Sequence, residues 1–455
     1  MLAGIIVGVR LLTAAVLAFS VPVVAQVASD TSTSQNLVLR DIRLIDGTGR
    51  APIEHASILI KNGRIAQIVT RGTAGSWGDA RVLKLSGKTV MPALINGHGH
   101  LGLTKGTKVS PANYTAENVQ RQLMQYERYG VTTMISLGMN KDLLYQLRSQ
   151  QGKGELGGAT ILTADRGIGT PHGVPGVKVG PDQLYRPATP EEARKDVQEM
   201  ASRDPNLIKV WVDTNFRTLP APNPAVYIAA VDEAHRLKLR VAAHVFYLAD
   251  AKKLLQNGVD ILAHSIRDQE IDTDTISFMK EHNIYYIPTL QLEESFFIFA
   301  EDPAWMKTPF FQDALDPALA KTLSSAGYKR KVGHDKNTPL HRAALQTAMV
   351  NLMKLKVGGV PISFGTDSGA NPYRIQGWAE HRELQLMVAA GMTPVEAIHC
   401  ATAVAAKMLQ MDEKTGTVEK GKQADLLVLD ADPSADIANT EKIAMIFHQG
   451  RQVNR

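Results

Sequence analysis

From residue 36 onward, apolar and polar positions alternate in short runs, at 37–46, 56–60 and 63–69, around the turn pair Asn62-Gly63. A period of two interrupted by such a turn predicts a hairpin-rich β unit over 36–90. The same pattern returns near the other end, at 424–430 and 442–447. Residues 415–455 are therefore expected to pair with the first unit as one small β-sandwich domain. Between them, apolar runs at 89–95, 131–137, 159–164, 207–212, 240–246, 259–264, 284–289 and 360–365 alternate with helical stretches such as 190–202, 224–237 and 340–356. Pro190 and Pro224 suit a first helical turn. Alternating βα units with right-handed crossovers predict an α/β protein, a (β/α)8 TIM barrel over 91–414. The long break at 291–339 reads as a helical insertion over the barrel mouth.

Composition narrows the class. The chain has 455 residues, 44% hydrophobic and 21% charged, enough to bury a large core. Its net charge of +5 comes from 50 basic and 45 acidic residues mixed along the sequence, so no dedicated nucleic-acid surface is expected. Cys400 is the only cysteine. An intrachain disulfide and a cysteine-based zinc site are excluded, and a lone thiol in an apolar helical pattern reads as core filler. Arg10, the apolar stretch 11–18 and the small residues around Ala25 read as a signal peptide over 1–25. The alternative is an uncleaved anchor, which needs about 20 apolar residues where Arg10 interrupts this run. The expected product is a secreted, periplasmic protein with no membrane attachment after signal removal; a homo-oligomer stays open.

Catalytic residues of such barrels sit at the C-terminal ends of strands. There the sequence has His98 and His100 after the first run, Lys209 in the fourth, His244 in the fifth, His264 ending the sixth and Asp367 after the eighth. Alternation puts His98 and His100 on one side of an extended segment, so two imidazoles can converge on one ion. Taken singly, each has a plain structural explanation: a chance His-x-His, satisfied core histidines, an Asp-containing turn. Lys209 inside an apolar strand is harder to explain, because an unpaired buried ammonium is costly. A pair with Asp213 is the plain alternative.

The motifs Met91-Pro-Ala-Leu-Ile-Asn-Gly-His-Gly-His100, Ile208-Lys-Val-Trp-Val-Asp213, Val241-Ala-Ala-His244, Ile261-Leu-Ala-His-Ser265 and Gly365-Thr-Asp-Ser-Gly369 closely resemble the amidohydrolase superfamily. Within it they resemble the imidazolonepropionase-like and metal-dependent prolidase or carboxypeptidase-like branch. The resemblance implies two divalent metal ions, with imidazole, carboxylate and carbamate ligands that suit zinc. It implies that Lys209 is N6-carboxylated and bridges both ions. His98, His100 and Asp367 would hold one, and His244 and His264 the other. It further implies hydrolysis of an amide C–N bond by metal-activated hydroxide, with Asp367 passing a proton to the leaving amine. Substrates of that branch would be a dipeptide, an N-acyl amino acid or an amide-linked aromatic.

His172 and Tyr247 are the candidate substrate contacts; as alternatives, His172 caps local backbone and Tyr247 packs at the barrel rim. Two departures stand out. Asn96 occupies the place of the usual Asp of Asp-x-His-x-His, and Ile135-Ser136 stand where the branch often has Arg-Asp. The rival readings are a mononuclear deaminase or cyclic-amide hydrolase of the same superfamily, and a non-catalytic periplasmic binding protein on the barrel.

Overall fold

The computed structural model describes Met1, Gly4 and residues 36–70 and 77–454. Apart from those first two residues, the signal peptide expected over 1–25 lies outside the described residues. No helix among the described residues is long and apolar enough to cross a membrane.

The two chain ends share one eight-stranded sheet. Its first strands are β1 (Leu37–Leu44), β2 (Ile53–Lys61), β3 (Arg64–Val69), β4 (Arg81–Lys84) and β5 (Thr89–Pro92). Asn62 and Gly63 take φ of 50° and 75°, the left-handed pair that lets β2 reverse into β3 in two residues. β1 forks, pairing in parallel with β4 along its first half and with β5 along its second. The barrel strands that follow are β6 (Leu94–Gly99), a small hairpin β7 (Thr104–Lys105) and β8 (Lys108–Val109), then β9 (Val131–Ser136), β10 (Thr160–Thr163), β11 (Ile208–Trp211), β12 (Val241–His244), β13 (Ile261–Ala263) and β14 (Tyr285–Ile287). The chain then returns to the first sheet with β15 (Leu426–Leu429), β16 (Ile443–His448) and β17 (Arg451–Gln452). β15 pairs antiparallel with β5, which joins the ends, and Leu39, Ile58, Val90, Leu426 and Phe447 fill a core of their own.

The barrel strands are buried on both faces, as a closed parallel sheet under helices requires. β6, β9 and β10 form one ladder, and β11 to β14 a second. Two short bridges close the ring. Beyond β10 the chain kinks at Asp165 and Gly167, both at positive φ, and Ile168 then pairs with Val210. On the other side, residues 360–365 bond to both neighbours. Ser363 N–H donates to Tyr286 at 2.8 Å, and Gly97 N–H donates to Phe364 at 2.9 Å. The eighth run is thus in place without a continuous ladder, because Pro361 has no N–H to give.

Helices Pro190–Ala201, Pro224–Arg236 and Thr338–Gly358 match the helical patterns, the first opened by a capping box from Thr189 and Glu192. The segment after β14 winds into short helices whose Phe299, Phe311 and Leu319 pack with Trp378 and Tyr129. Cys400 is buried in a helical stretch, its thiol pushed up to about 12 by burial, which suits a packing role.

Candidate metal centre

Parallel strands put all their C-terminal ends at one mouth, and the chemically capable side chains meet there. One ligand atom from each of His98, His264 and Asp367 lies within 4.8 Å of the others. The Nε2 atoms of His98 and His100 stand 3.2 and 2.9 Å from Oδ1 of Asp367. The His264 ring lies 4.4 Å from that of His98 and 4.5 Å from that of His244, centroid to centroid. His264 therefore stands between the two ligand groups that the resemblance separates. Two of these residues sit on strained backbone, His264 at φ 108° and Asp367 at φ 57°. Such positions cost about 1–3 kcal/mol each and persist where the surroundings enforce them.

Lys209 is fully buried and, among the described residues, its Nζ has no hydrogen-bond partner; the same holds for Nδ1 of His98. Asp213, the plain partner considered for it, is engaged elsewhere, holding Nε2 of His244 at 2.9 Å. Burial pushes the Lys209 amine down to about 7, against the pull of Asp367. Burial likewise lowers His98, His264 and His244, with Lys209 adding to the effect. Burial alone would raise Asp367, but Arg374 and the two imidazoles outweigh it and hold the carboxyl well below its usual range. The set is thus neutral imidazoles, one anionic carboxylate and an amine with an accessible neutral form, which are donors fit for a divalent cation.

The residues around them set orientation. Nδ1 of His264 meets Thr289 Oγ1 at 2.9 Å, and Nδ1 of His100 faces the Gly138 carbonyl at 3.3 Å. Each anchor leaves the other ring nitrogen directed at the centre, as metal-binding histidines require. Asn96 has a built role. Its carboxamide accepts from His98 N–H at 2.9 Å and donates to Glu380 Oε1 at 2.7 Å. Glu380 is buried, raised by burial, and also takes the hydroxyls of Thr366 and Ser368. A carboxylate at position 96 would face that carboxylate, so the amide suits its neighbour. Ser136, at the other departure, caps Leu101 N–H and bonds Asn140.

A cavity of about 310 Å³ lies over this centre. The loops after β9 and β10 and the end of β11 give it an apolar side, with Met139, Val174, Val177 and Trp211. The loops after β13 and the eighth run give the opposite side Arg267 and Arg374, and the short helix Leu290–Glu294 and the helix Thr338–Gly358 give it Glu293 and His341, with Phe296 stacked on His341 at 3.8 Å. Glu293 bonds both Arg267 and His341 at 2.6 Å, and Arg374 donates to Asp367. None of these carries a local sequence motif. His172 is exposed at the apex of its loop, and its neighbours Val174 to Val177 line the cavity instead. Tyr247 is half-buried, against Phe246 and Thr214, and it is Phe246 that lines the cavity.

A sequence model of the amidohydrolase family matches residues 89–453. The chain belongs to that family. An uncharacterized protein of Mycobacterium tuberculosis is 27% identical to this amidohydrolase over 423 residues, covering 90% of this chain and 96% of that one. A 5-methylthioadenosine/S-adenosylhomocysteine deaminase of Symbiobacterium thermophilum is 23% identical over 443 residues, covering 91% and 89%. Among solved structures, a presumed prolidase from Bifidobacterium longum superposes with a TM-score of 0.73 at 26% identity, covering 93% of this amidohydrolase and 95% of that chain. The fold is accordingly the family's TIM barrel with an added domain, and the enzyme class is hydrolytic.

Proposed function

We propose that this amidohydrolase cleaves an amide C–N bond in a dipeptide, an N-acyl amino acid or an amide-linked aromatic, with two divalent ions, zinc by ligand type, held by His98, His100, Lys209, His244, His264 and Asp367. The observation that carries the reading is the buried Lys209 amine, without a hydrogen-bond partner among the described residues and electrostatically coupled to His98, His264 and Asp367. A neutral amine can take up CO2, releasing a proton and leaving a carbamate whose anionic oxygens suit two cations; an ammonium cannot. Bound ions would supply an activated water at neutral pH and polarise the substrate carbonyl.

The protein's own part follows from its side chains. Asp367, kept ionised by Arg374, is poised to accept the proton of the attacking water and return it to the leaving nitrogen. Asp213 holds His244 with its proton on Nε2, and Thr289 fixes the orientation of the His264 ring. The Arg267 and Arg374 side of the cavity suits a carboxylate-bearing end, and the Met139 and Trp211 side an apolar acyl end. The likeness to a presumed prolidase supports a peptide-like amide. Lys209 argues against the mononuclear deaminase, which uses no bridging lysine. The reading also includes export of the chain through residues 1–25, to be checked by cell fractionation.

The test is a panel of dipeptides and N-acyl amino acids, assayed with protein of measured metal content, with and without chelator. Amine release that needs the metal, at two ions per chain, is the expected result. Release of ammonia from a nucleoside at one ion per chain would replace this reading with the deaminase, and chelator-insensitive turnover would end it.

A further inference from the structure

A second cavity, of about 240 Å³, adjoins the first, and Trp211 lines both. Ile168, Pro171 and Val226 line the inner part of the second beside Thr170, and Ala188 and Pro220 form an outer rim exposed to solvent. The indole is 5% exposed and is wedged in place. A Cβ at Gly138 would stand 2.4 Å from its Cη2, and one at Gly167 2.6 Å from its Cζ3, and both glycines have positive φ. The two strand ends thus leave an indole-shaped slot, and the ring has no room to swing towards either. The rest of the division is the loop 170–177. Its Val174 to Val177 face the first cavity while Thr170 and Pro171 face the second. Arg186 staples that loop, donating to the carbonyls of Thr170, Gly173 and Pro175, the last two at 3.1 and 2.7 Å.

We infer that Trp211 is a specificity-determining residue: a fixed partition that ends the apolar side of the substrate cavity and separates it from a second, largely apolar chamber that opens to solvent on its far side. The inference rests on the amide-hydrolase reading for its substrate, in that the acyl group is the part placed on the Trp211 side. Its consequence is an enzyme restricted to short acyl groups, with a built chamber behind the wall that a single truncation opens. Each methylene moved from water into such a chamber favours binding by about fourfold, so four extra methylenes set a ceiling near ~200-fold. Partial burial should still give tenfold.

The experiment compares N-acetyl-L-phenylalanine with N-hexanoyl-L-phenylalanine on metal-loaded wild type, Trp211→Gly and the refilled double variant Trp211→Gly/Ala188→Phe. Both kcat/KM and calorimetric affinity are measured, and Trp211→Leu stands in if the glycine variant does not fold. The hexanoyl-to-acetyl ratio should rise at least tenfold on truncation and return towards wild type on refilling from the outer rim. A ratio within twofold of wild type in the truncated protein, or a gain that survives refilling, overturns the inference. If wild type cleaves neither compound, the substrate reading fails, while the calorimetric ratio still decides the partition; binding of neither compound by any of the proteins overturns the partition as well.

Discussion

Replacing Asn96 by aspartate changes one atom of a buried side chain and puts a second carboxylate 2.7 Å from Glu380 Oε1. If both stayed ionised, their repulsion at an effective dielectric of ~20 would be about 6 kcal/mol. Protonating one of them is cheaper. A carboxyl of ordinary pKa holds a proton at pH 7 at a cost of about 3–4 kcal/mol; Glu380, already raised by burial, takes it for less, and a shared O–H···O bond returns part of the rest. Asn96→Asp should therefore destabilise the protein by about 1–3 kcal/mol. For a chain of this length the unfolding entropy makes that a fall of only about 1 °C in Tm per kcal/mol, so urea denaturation is the better assay, on chelator-treated protein. The exchanged pair Asn96→Asp/Glu380→Gln restores one amide facing one carboxylate, keeps an acceptor for His98 N–H, and should recover more than half of the loss. A single variant within about 0.5 kcal/mol of wild type, the range of an inconsequential substitution, would refute the reasoning, as would a double variant no better than the single one.

Lys209→Ala and Asp367→Asn should each abolish amide hydrolysis while the circular dichroism spectrum stays that of the folded protein; near-normal turnover in either metal-loaded variant would remove that residue from the chemistry. Asp213→Asn, which weakens the anchor on His244, should lower metal affinity by about 10–100-fold, read by competition with a chromogenic chelator. His448, on β16, meets Glu127 of the helix Ala116–Arg128 at 2.6 Å. Burial pulls its pKa down, but Glu127 and Asp425 outweigh burial and leave it raised. A raised folded pKa means the stabilisation is complete below the unfolded value near ~6.5 and fades as pH climbs through the folded one. His448→Asn should thus cost about 1.5–3 kcal/mol at pH 5.5 and clearly less at pH 9; equal losses at the two pH values would contradict the ion pair.

The barrel was legible because a βα repeat writes itself into local sequence. Each apolar run and each helix opened by Thr189-Pro190 or Asn223-Pro224 is specified by residues within a few positions of one another. Strand ends are likewise local, so the six polar side chains there could be named before any contact was known. Closure of the ring was not legible in detail, since Pro361 and the kink at Asp165 and Gly167 replace continuous ladders by single bridges. Long-range chemistry was left to the tertiary structure. Asn96 looks like a departure in its own motif, and its partner Glu380 lies 284 positions away. Asp213 looked like a partner for Lys209, four residues off, yet strand pairing delivers it to His244 on the next strand. The same holds for Arg267, Glu293, His341 and Arg374, which reach one cavity wall from two loops and two helices, and for the slot that two glycines just past neighbouring strands leave for Trp211. Sequence alone determined which chemistry the strand ends carry, because period and side-chain type are properties of the chain. Which groups touch, and where the cavity stops, depended on residues that only the closed barrel brings within a few ångströms.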